Sequence, residues 1–184
     1  ERVQTLYDEK GLGPAPLPQA SAGGVSEDHL TVLKEAKPEV VSFHFGLPDD
    51  DVVGALKAEN IFILCSATTA AEARTLESRG VDAVIAQGTE AGGHRGTFSD
   101  VDISLQPGLF SLLPQVVDAV SVPVIAAGGV ADGRAVAAAF MLGASGVQVG
   151  TAFLRCAQAN VAPAHRAALG TAGDAAGAGG AAGA

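Results

Sequence analysis

Asp82-Ala-Val-Ile-Ala-Gln87 runs directly into Gly88-Thr-Glu-Ala-Gly-Gly-His-Arg-Gly-Thr-Phe98 near the middle of the chain. The first stretch is a short apolar run that ends in a polar residue, which is typical of a β-strand buried on both faces. The second is rich in glycine and polar residues, and the next predicted strand begins only at Pro123. A long loop inside a compact domain is usually functional or disordered, and the regular glycine pattern favours function here.

Four similar apolar runs flank this strand, and helical stretches separate them. Strand and helix in alternation predict an α/β fold with a parallel sheet and right-handed crossovers. The loop after Gln87 then lies at the carboxyl end of the sheet, where ligands bind in such folds. The predicted strands are Val40 to Phe45, Ile61 to Ser66, Asp82 to Gln87, Pro123 to Gly128 and Gly146 to Thr151, and the predicted helices are Ser26 to Lys37, Thr69 to Arg79, Gln115 to Val120 and Asp132 to Leu142.

Two local patterns mark helix ends. Thr69 and Glu72 form a Thr-x-x-Glu sequence that predicts a capping box, and Gly80 supplies the stop. Asp49, Asp50 and Asp51 follow a proline and predict a solvated turn and a helix start.

Composition limits the class of protein. The 184 residues are 48% hydrophobic and 17% charged, which excludes disorder for most of the chain. The formal charge of −9 argues against nucleic acid or an anionic membrane as a partner. Residues 1–169 are expected to form the folded portion, and residues 170–184, almost all glycine and alanine, a flexible tail.

The cysteines and the start of the sequence indicate a cellular setting. Cys65 and Cys156 form no metal-binding or disulfide pattern, so no metal site is expected. The charged start lacks the apolar stretch of a signal peptide, and no run of 18 apolar residues occurs. A cytoplasmic protein fits best.

His94 is the leading candidate for chemistry. Its loop also carries Glu90 and Arg95, and Gln87 ends the strand, so an amide, an acid, an imidazole and a cation lie within a short segment. An imidazole titrates near a pH of about 6.5 and can act as general acid or base. The alternative, equally weighted on composition alone, is an exposed loop histidine between turn residues.

Two glycine-rich turns follow the last two strands. Ala126-Ala-Gly-Gly-Val-Ala-Asp-Gly133 and Gln148-Val-Gly-Thr151 each stand between a strand and a helix, so backbone N–H groups can face a phosphate. In (β/α)8 barrels the phosphate site is often built by the last two such loops. The alternative is that both are only tight connections. Neither is a dinucleotide fingerprint or a P-loop.

The remaining candidates are weaker. His44 ends a strand and is expected either in a barrel mouth or, with slight preference, in the core. His29 and His165 are expected on the surface, and Cys65 is expected to be a buried small hydrophobe.

Three stretches together resemble the nitronate monooxygenases, formerly called 2-nitropropane dioxygenases. They are Ala86-Gln-Gly-Thr-Glu-Ala-Gly-Gly-His-Arg-Gly96, Val124-Ile-Ala-Ala-Gly-Gly-Val130 and Gly143-Ala-Ser-Gly-Val-Gln-Val-Gly-Thr-Ala-Phe-Leu154, within a resemblance over residues 1–174. The first motif is specific, whereas the glycine turns are shared with other FMN barrels. The resemblance implies a TIM-type barrel that binds FMN and oxidises alkyl nitronates with O₂ to a carbonyl compound and nitrite.

Carried over by motif, His94 is the catalytic residue, which orients the nitronate and serves as base toward a neutral nitroalkane. The resemblance further implies that Gln87 and Gly92 contact the flavin and that the FMN phosphate and ribityl end are held by Gly129, Gln148, Val149, Gly150 and Thr151. The partners it implies are a small nitronate or nitroalkane and O₂, and it leaves a homodimer open.

The resemblance covers only part of the family's barrel. The five predicted βα units correspond to the fourth through eighth of the family's barrel, so we expect an incomplete TIM-type (β/α)8 barrel. Two alternatives stay open: an FMN-dependent enoyl-acyl-carrier-protein reductase, which also needs NAD(P)H, and a non-catalytic flavin-binding fragment.

Overall fold

The computed structural model describes residues 2–11, 13–14, 24–99 and 102–171. Within these ranges the strands are β1 Val40–Phe43, β2 Phe62–Ala67, β3 Ala83–Gln87, β4 Val124–Ala127 and β5 Gly146–Gln148. The helices are α1 Arg2–Glu9, α2 Glu27–Ala36, α3 Asp50–Ala58, α4 Ala70–Ser78, α5 Leu109–Val117, α6 Gly133–Met141 and α7 Pro163–Thr171. Short 3₁₀ helices span Ile103–Leu105 and Thr151–Arg155.

The five strands form one parallel sheet in the order β1-β2-β3-β4-β5, so each strand pairs with its neighbour in sequence. The sheet curls into half of a barrel. This arrangement confirms the predicted α/β class and the incomplete barrel of five βα units. All five carboxyl ends therefore meet at one edge, which is where a ligand site is expected.

The two faces of the sheet are covered differently. Side chains at alternate positions of β2 and β3, such as Ile63 and Val84, point outward and are fully buried against Leu76 and Leu112 of the helices. Truncating such a leucine to alanine costs about 2–5 kcal/mol. The opposite, concave face holds Phe62, which is 42% exposed. The core thus lies between sheet and helices, and the concave face is the more open one.

The predicted helix Gln115 to Val120 was wrong in its limits. Helix α5 begins at Leu109, after Gly108 as N-cap, and ends at Val117. Pro114 lies inside it and cannot donate a backbone hydrogen bond, which is why the sequence suggested a later start. The apolar face of α5 outweighs that loss, because Leu109, Leu112, Leu113 and Val116 are all buried.

Other limits also differ. The predicted fifth strand stops at Gln148, and residues from Thr151 onward form a 3₁₀ helix. The predicted tail falls mostly on residues 172–184, which lie outside the described residues, while residues 170–171 form the end of α7. In the described part of the chain, no helix has both the length and the apolar character needed to cross a bilayer.

Candidate functional site

A cavity of about 850 Å³ lies at the carboxyl ends of the strands. All the residues proposed from the sequence line it: Gln87, Gly92, His94, Gly129, Gln148, Val149, Gly150 and Thr151. They come from the loops after β3, β4 and β5. Parallel pairing in sequence order brings these three loops together, although up to 64 positions separate their residues in the chain.

Gln87, the last residue of β3, holds the loop that carries His94. Its Nε2 donates to the carbonyl of His94 at 3.0 Å, and its Oε1 accepts from the N–H of Gly96 at 2.7 Å. Both ends of the amide therefore bind backbone in the same turn. The imidazole of His94 is exposed beside the cavity, so the loop presents the ring while Gln87 fixes the peptide behind it.

His44 holds the same peptide from the other side. Its Nε2 lies 3.1 Å from the His94 carbonyl, and its Nδ1 lies 3.0 Å from the Ser66 hydroxyl. Because a carbonyl only accepts, Nε2 carries the proton. Gly96 completes the contact, since a Cβ there would lie 2.6 Å from His44 Cε1. The Phe45 ring packs edge-on against both imidazoles, with centroids 4.4 and 6.1 Å away.

His44 was thus misassigned by its sequence. Its neighbours alternate between apolar residues, which favoured the core, but the ring is exposed and lines the cavity. The strand ends at Phe43, so the alternation of buried and exposed positions no longer decides where the next side chain points.

Two other members of the predicted constellation are engaged in holding backbone. Both Glu90 carboxylate oxygens accept from the N–H of Leu109, at 2.9 and 2.8 Å, and so cap helix α5. The Arg95 guanidinium donates to the carbonyls of Gly88 and Thr89, at 2.6 and 2.8 Å. The acid and the cation therefore shape the loop, and the exposed His94 lines the cavity beside Glu90.

The glycine turns differ in why they need glycine. Gly128 and Gly129 have positive φ angles of 102° and 67°, and a Cβ on Gly129 would lie 3.2 Å from Glu90 Cβ. The fold itself therefore accounts for both. Gly150 has an ordinary φ of −105°, and in the described part of the chain no atom beyond its two neighbours lies within 4 Å of where its Cβ would be. Its side-chain position is an open place in the cavity wall.

The start of α6 is less open to a phosphate than the sequence suggested. The Asp132 carboxylate accepts from the N–H groups of Arg134 and Ala135, at 2.9 and 3.1 Å, so the helix is capped by its own side chain. The hydrogen bond from the Arg134 side chain, with these backbone donors, lowers the pKa of Asp132. The expectation of a phosphate on this helix end is weakened accordingly.

Helix α7 adds residues that sequence reasoning left on the surface. His165 is exposed, as predicted, but it also lines the cavity together with Leu169 and Arg155. The signal available in the sequence was position alone, since α7 follows the glycine turn after the last strand.

Glu72 is the most important residue near the site that the sequence analysis assigned only to a helix cap. It is 1% exposed, and its carboxylate accepts hydrogen bonds from Thr68 and from the segment 97–99. Burial opposes ionisation, but these donors outweigh it and lower the pKa of Glu72 to about 2. The predicted capping box is half formed, because Thr69 accepts from the Glu72 N–H while the carboxylate turns elsewhere. Cys65 is buried as expected, and desolvation raises its pKa to about 11.

The sequence model of one family, described as nitronate monooxygenase, matches residues 9–176. The chain belongs to the nitronate monooxygenase family. The stated resemblance is therefore confirmed at the level of the family.

Relatives of known name agree with this membership. A nitronate monooxygenase from Paraburkholderia phytofirmans is 48% identical over 140 residues, which cover 76% of this chain and 38% of that protein. The structure of a nitroalkane oxidase from Streptomyces ansochromogenes matches with a TM-score of 0.74 at 47% identity, over 77% of this chain and 42% of the other. FabK from Thermotoga maritima matches with a TM-score of 0.71 at 37% identity, over 83% and 46%. The chain spans about two fifths of the length of the curated relatives it matches.

Proposed function

We propose that this chain forms the His94 side of the active site of an FMN-dependent enzyme that oxidises alkyl nitronates with O₂ to a carbonyl compound and nitrite. The observation that supports the proposal most directly is the single cavity wall made by an exposed His94 and the loops after β3, β4 and β5. Membership of the nitronate monooxygenase family supports the reaction class.

The residues present fit a flat, phosphate-bearing cofactor. The open position at Gly150 is the clearest sign, because neither its backbone conformation nor packing by the described residues demands glycine there. A ligand that approaches the backbone closely supplies such a demand. Gly129 and the segment from Gln148 to Thr151 would hold the phosphate and ribityl end, and Gln87 and Gly92 would lie beside the ring system. Bound FMN would supply the electron transfer from substrate to oxygen.

The protein's part in the reaction centres on His94. A protonated ring nitrogen can donate to a nitronate oxygen and so orient the substrate, and a neutral ring nitrogen can accept the α-proton of a nitroalkane. Gln87 and His44 both bind the carbonyl of His94, so the imidazole can rotate about its own side-chain bonds while its backbone stays fixed. Such fixation reduces the entropy lost when the reacting groups are brought together.

The test combines cofactor retention with turnover. The purified chain is incubated with FMN, desalted, and its visible spectrum recorded before and after anaerobic addition of ethyl nitronate. Retained flavin that is bleached by the nitronate supports the proposal. Retained flavin that the nitronate does not bleach would instead favour a non-catalytic flavin-binding role.

A substitution assigns the histidine. His94→Asn should leave the flavin bound and lower nitrite release from a neutral nitroalkane at least about tenfold, equivalent to about 1.4 kcal/mol in the barrier. His29→Asn is the matched control, because His29 lies exposed on α2, away from the cavity. Unchanged nitrite release in the His94 variant would remove His94 from the mechanism.

A further inference from the structure

We infer that Glu72 is the positioning residue for His94: its buried carboxylate fixes residues 97–99 and thereby the loop that presents the imidazole. The inference rests on the proposed function only in taking His94 as the reacting side chain. Glu72 lies in α4, behind β2, and does not line the cavity, so it acts through the loop and not on a ligand.

Six hydrogen bonds converge on this one carboxylate. Oε2 accepts from the N–H and the hydroxyl of Thr68, at 2.7 and 2.8 Å. Oε1 accepts from the hydroxyls of Thr97 and Ser99, at 2.7 and 2.6 Å, and from the N–H groups of Phe98 and Ser99, at 3.0 and 3.1 Å. The Glu72 side chain thus joins Thr68, which follows β2, to three consecutive residues of the loop that carries His94.

The site is built for an anion and not for an amide of the same shape. Every backbone partner of Glu72 is a donor: the N–H of Thr68 on one oxygen, and those of Phe98 and Ser99 on the other. A glutamine would turn its own NH₂ toward one of these sets whichever way its amide is oriented. Among the ion pairs of the described residues none includes Glu72, so the groups that contact its charge directly are these hydrogen-bond donors.

The residues that Glu72 binds come directly after the turn that Gln87 binds. Gly96 donates to Gln87, and the following three residues bind Glu72, so the loop from 94 to 99 is fastened at consecutive positions by two buried side chains. If residues 97–99 no longer bound Glu72, the loop around His94 would be held by the contacts of Gln87 and His44 described above.

The contacts of this carboxylate also connect the loop to two neighbouring segments, one near Gln106 and one near Gly46. The Thr68 hydroxyl, which donates to Glu72, accepts from Gln106 Nε2 at 2.9 Å where the loop returns toward α5. Phe98 packs on Gly46, whose Cβ would lie 3.1 Å from the phenyl ring, in the turn that follows β1. Loss of the charge should therefore loosen residues 97–99 and also their links to Gln106 and Gly46.

The experiment measures loop order and the environment of His94 without cofactor or substrate, so its outcome is independent of whether the proposed reaction occurs. Glu72→Gln is compared with the unaltered chain by amide hydrogen exchange and by the chemical shifts of the histidine Cε1–H NMR signals. We expect the Phe98 and Ser99 amides to exchange at least about tenfold faster. We also expect the chemical shift of the His94 Cε1–H signal to change, while that of His29 stays unchanged.

Glu77→Gln is the matched control from the same helix. Glu77 Oε1 accepts from the N–H groups of Ser121 and Val122, at 2.6 and 3.2 Å, so it too is a carboxylate that binds backbone donors. Its loss should speed exchange at those two amides and leave His94 unmoved. A His94 signal that is the same in the Glu72 variant as in the unaltered chain would overturn the inference and reduce Glu72 to a local structural role.

A second variant keeps the test decisive if Glu72→Gln does not fold. The pair Thr97→Val and Ser99→Ala removes two hydroxyl donors and retains the carboxylate with its backbone bonds. The His94 Cε1–H signal should move from its position in the unaltered chain by a smaller amount than in Glu72→Gln. An unchanged His94 signal in this folded pair would equally refute positioning through residues 97–99.

Discussion

Acid should weaken the fold through Glu72 in a way that its amide replacement abolishes. The carboxyl titrates near its ordinary value of 4.5 in the unfolded chain and at about 2 in the folded one. Because the folded pKa is the lower, protons bind the unfolded chain first. The stabilising contribution is therefore complete above about pH 4.5, and it disappears as the pH falls through about 2.

The size of the effect follows from that difference in pKa. A lowering from 4.5 to about 2 corresponds to about 3 kcal/mol of folding free energy at neutral pH. Between those two pH values the contribution declines by up to about 1.4 kcal/mol per pH unit. Since Glu72 is only 1% exposed, solvent screening does little to reduce the figure.

Urea unfolding followed by circular dichroism at pH 7, 5, 4 and 3 measures this directly in the unaltered chain and in Glu72→Gln. The difference in free energy of unfolding between them should be largest at pH 7 and shrink steadily below pH 4.5. Asp102 and Asp132, whose pKa values are lowered by hydrogen bonds from Ser104 and Arg134, occur in both proteins and cancel. A difference that stays constant from pH 7 to 3 would refute the reasoning, because it would show that shape and not charge is at work.

Three further predictions follow from local geometry. Gly96→Ala places a methyl group 2.6 Å from His44 Cε1 and should cost about 1–3 kcal/mol in the free energy of unfolding; an unchanged urea midpoint would show that the His44 ring moves aside freely. Gly150→Val should fold normally, because its Cβ meets open space, but lose flavin on desalting; full flavin content would contradict a cofactor at that wall. In a thiol-reagent titration Cys156, which is exposed, should react in the native protein, whereas buried Cys65, whose pKa desolvation raises to about 11, should react only on unfolding; equal rates would contradict this burial.

The sequence was sufficient for the features that depend on neighbours in the chain. Five apolar runs of six residues each predicted the five strands, with limits that differ from the structure by at most three residues, and the glycine pattern around His94 predicted the loop. Helix α5 was misjudged because Pro114 reads locally as a break, while its buried leucines, which decide the matter, act through tertiary packing.

The contacts that organise the site could not be obtained in this way. Glu72 reaches residues 97–99 across 25 to 27 positions, and His44 reaches the His94 carbonyl across 50. Which side chains meet at such separations depends on strand register and on where each strand stops, and no periodicity encodes either. The Thr-x-x-Glu pattern correctly predicted that Thr69 caps the helix through the Glu72 N–H, but not where the Glu72 carboxylate binds. A glutamate that caps its own helix and one that binds a distant loop look identical in sequence.

The sequential order of the sheet bears on how the chain folds. Paired residues are 22 positions apart between β1 and β2, 19 between β2 and β3, and 21 between β4 and β5, but 40 between β3 and β4. Closing a loop twice as long costs about 0.6 kcal/mol more in chain entropy. Of these four pairings, that between β3 and β4 therefore has the largest entropy cost of closure, and its closure encloses the His94 loop. The segment that carries His94 is thus also the one whose closure joins the first three strands to the last two.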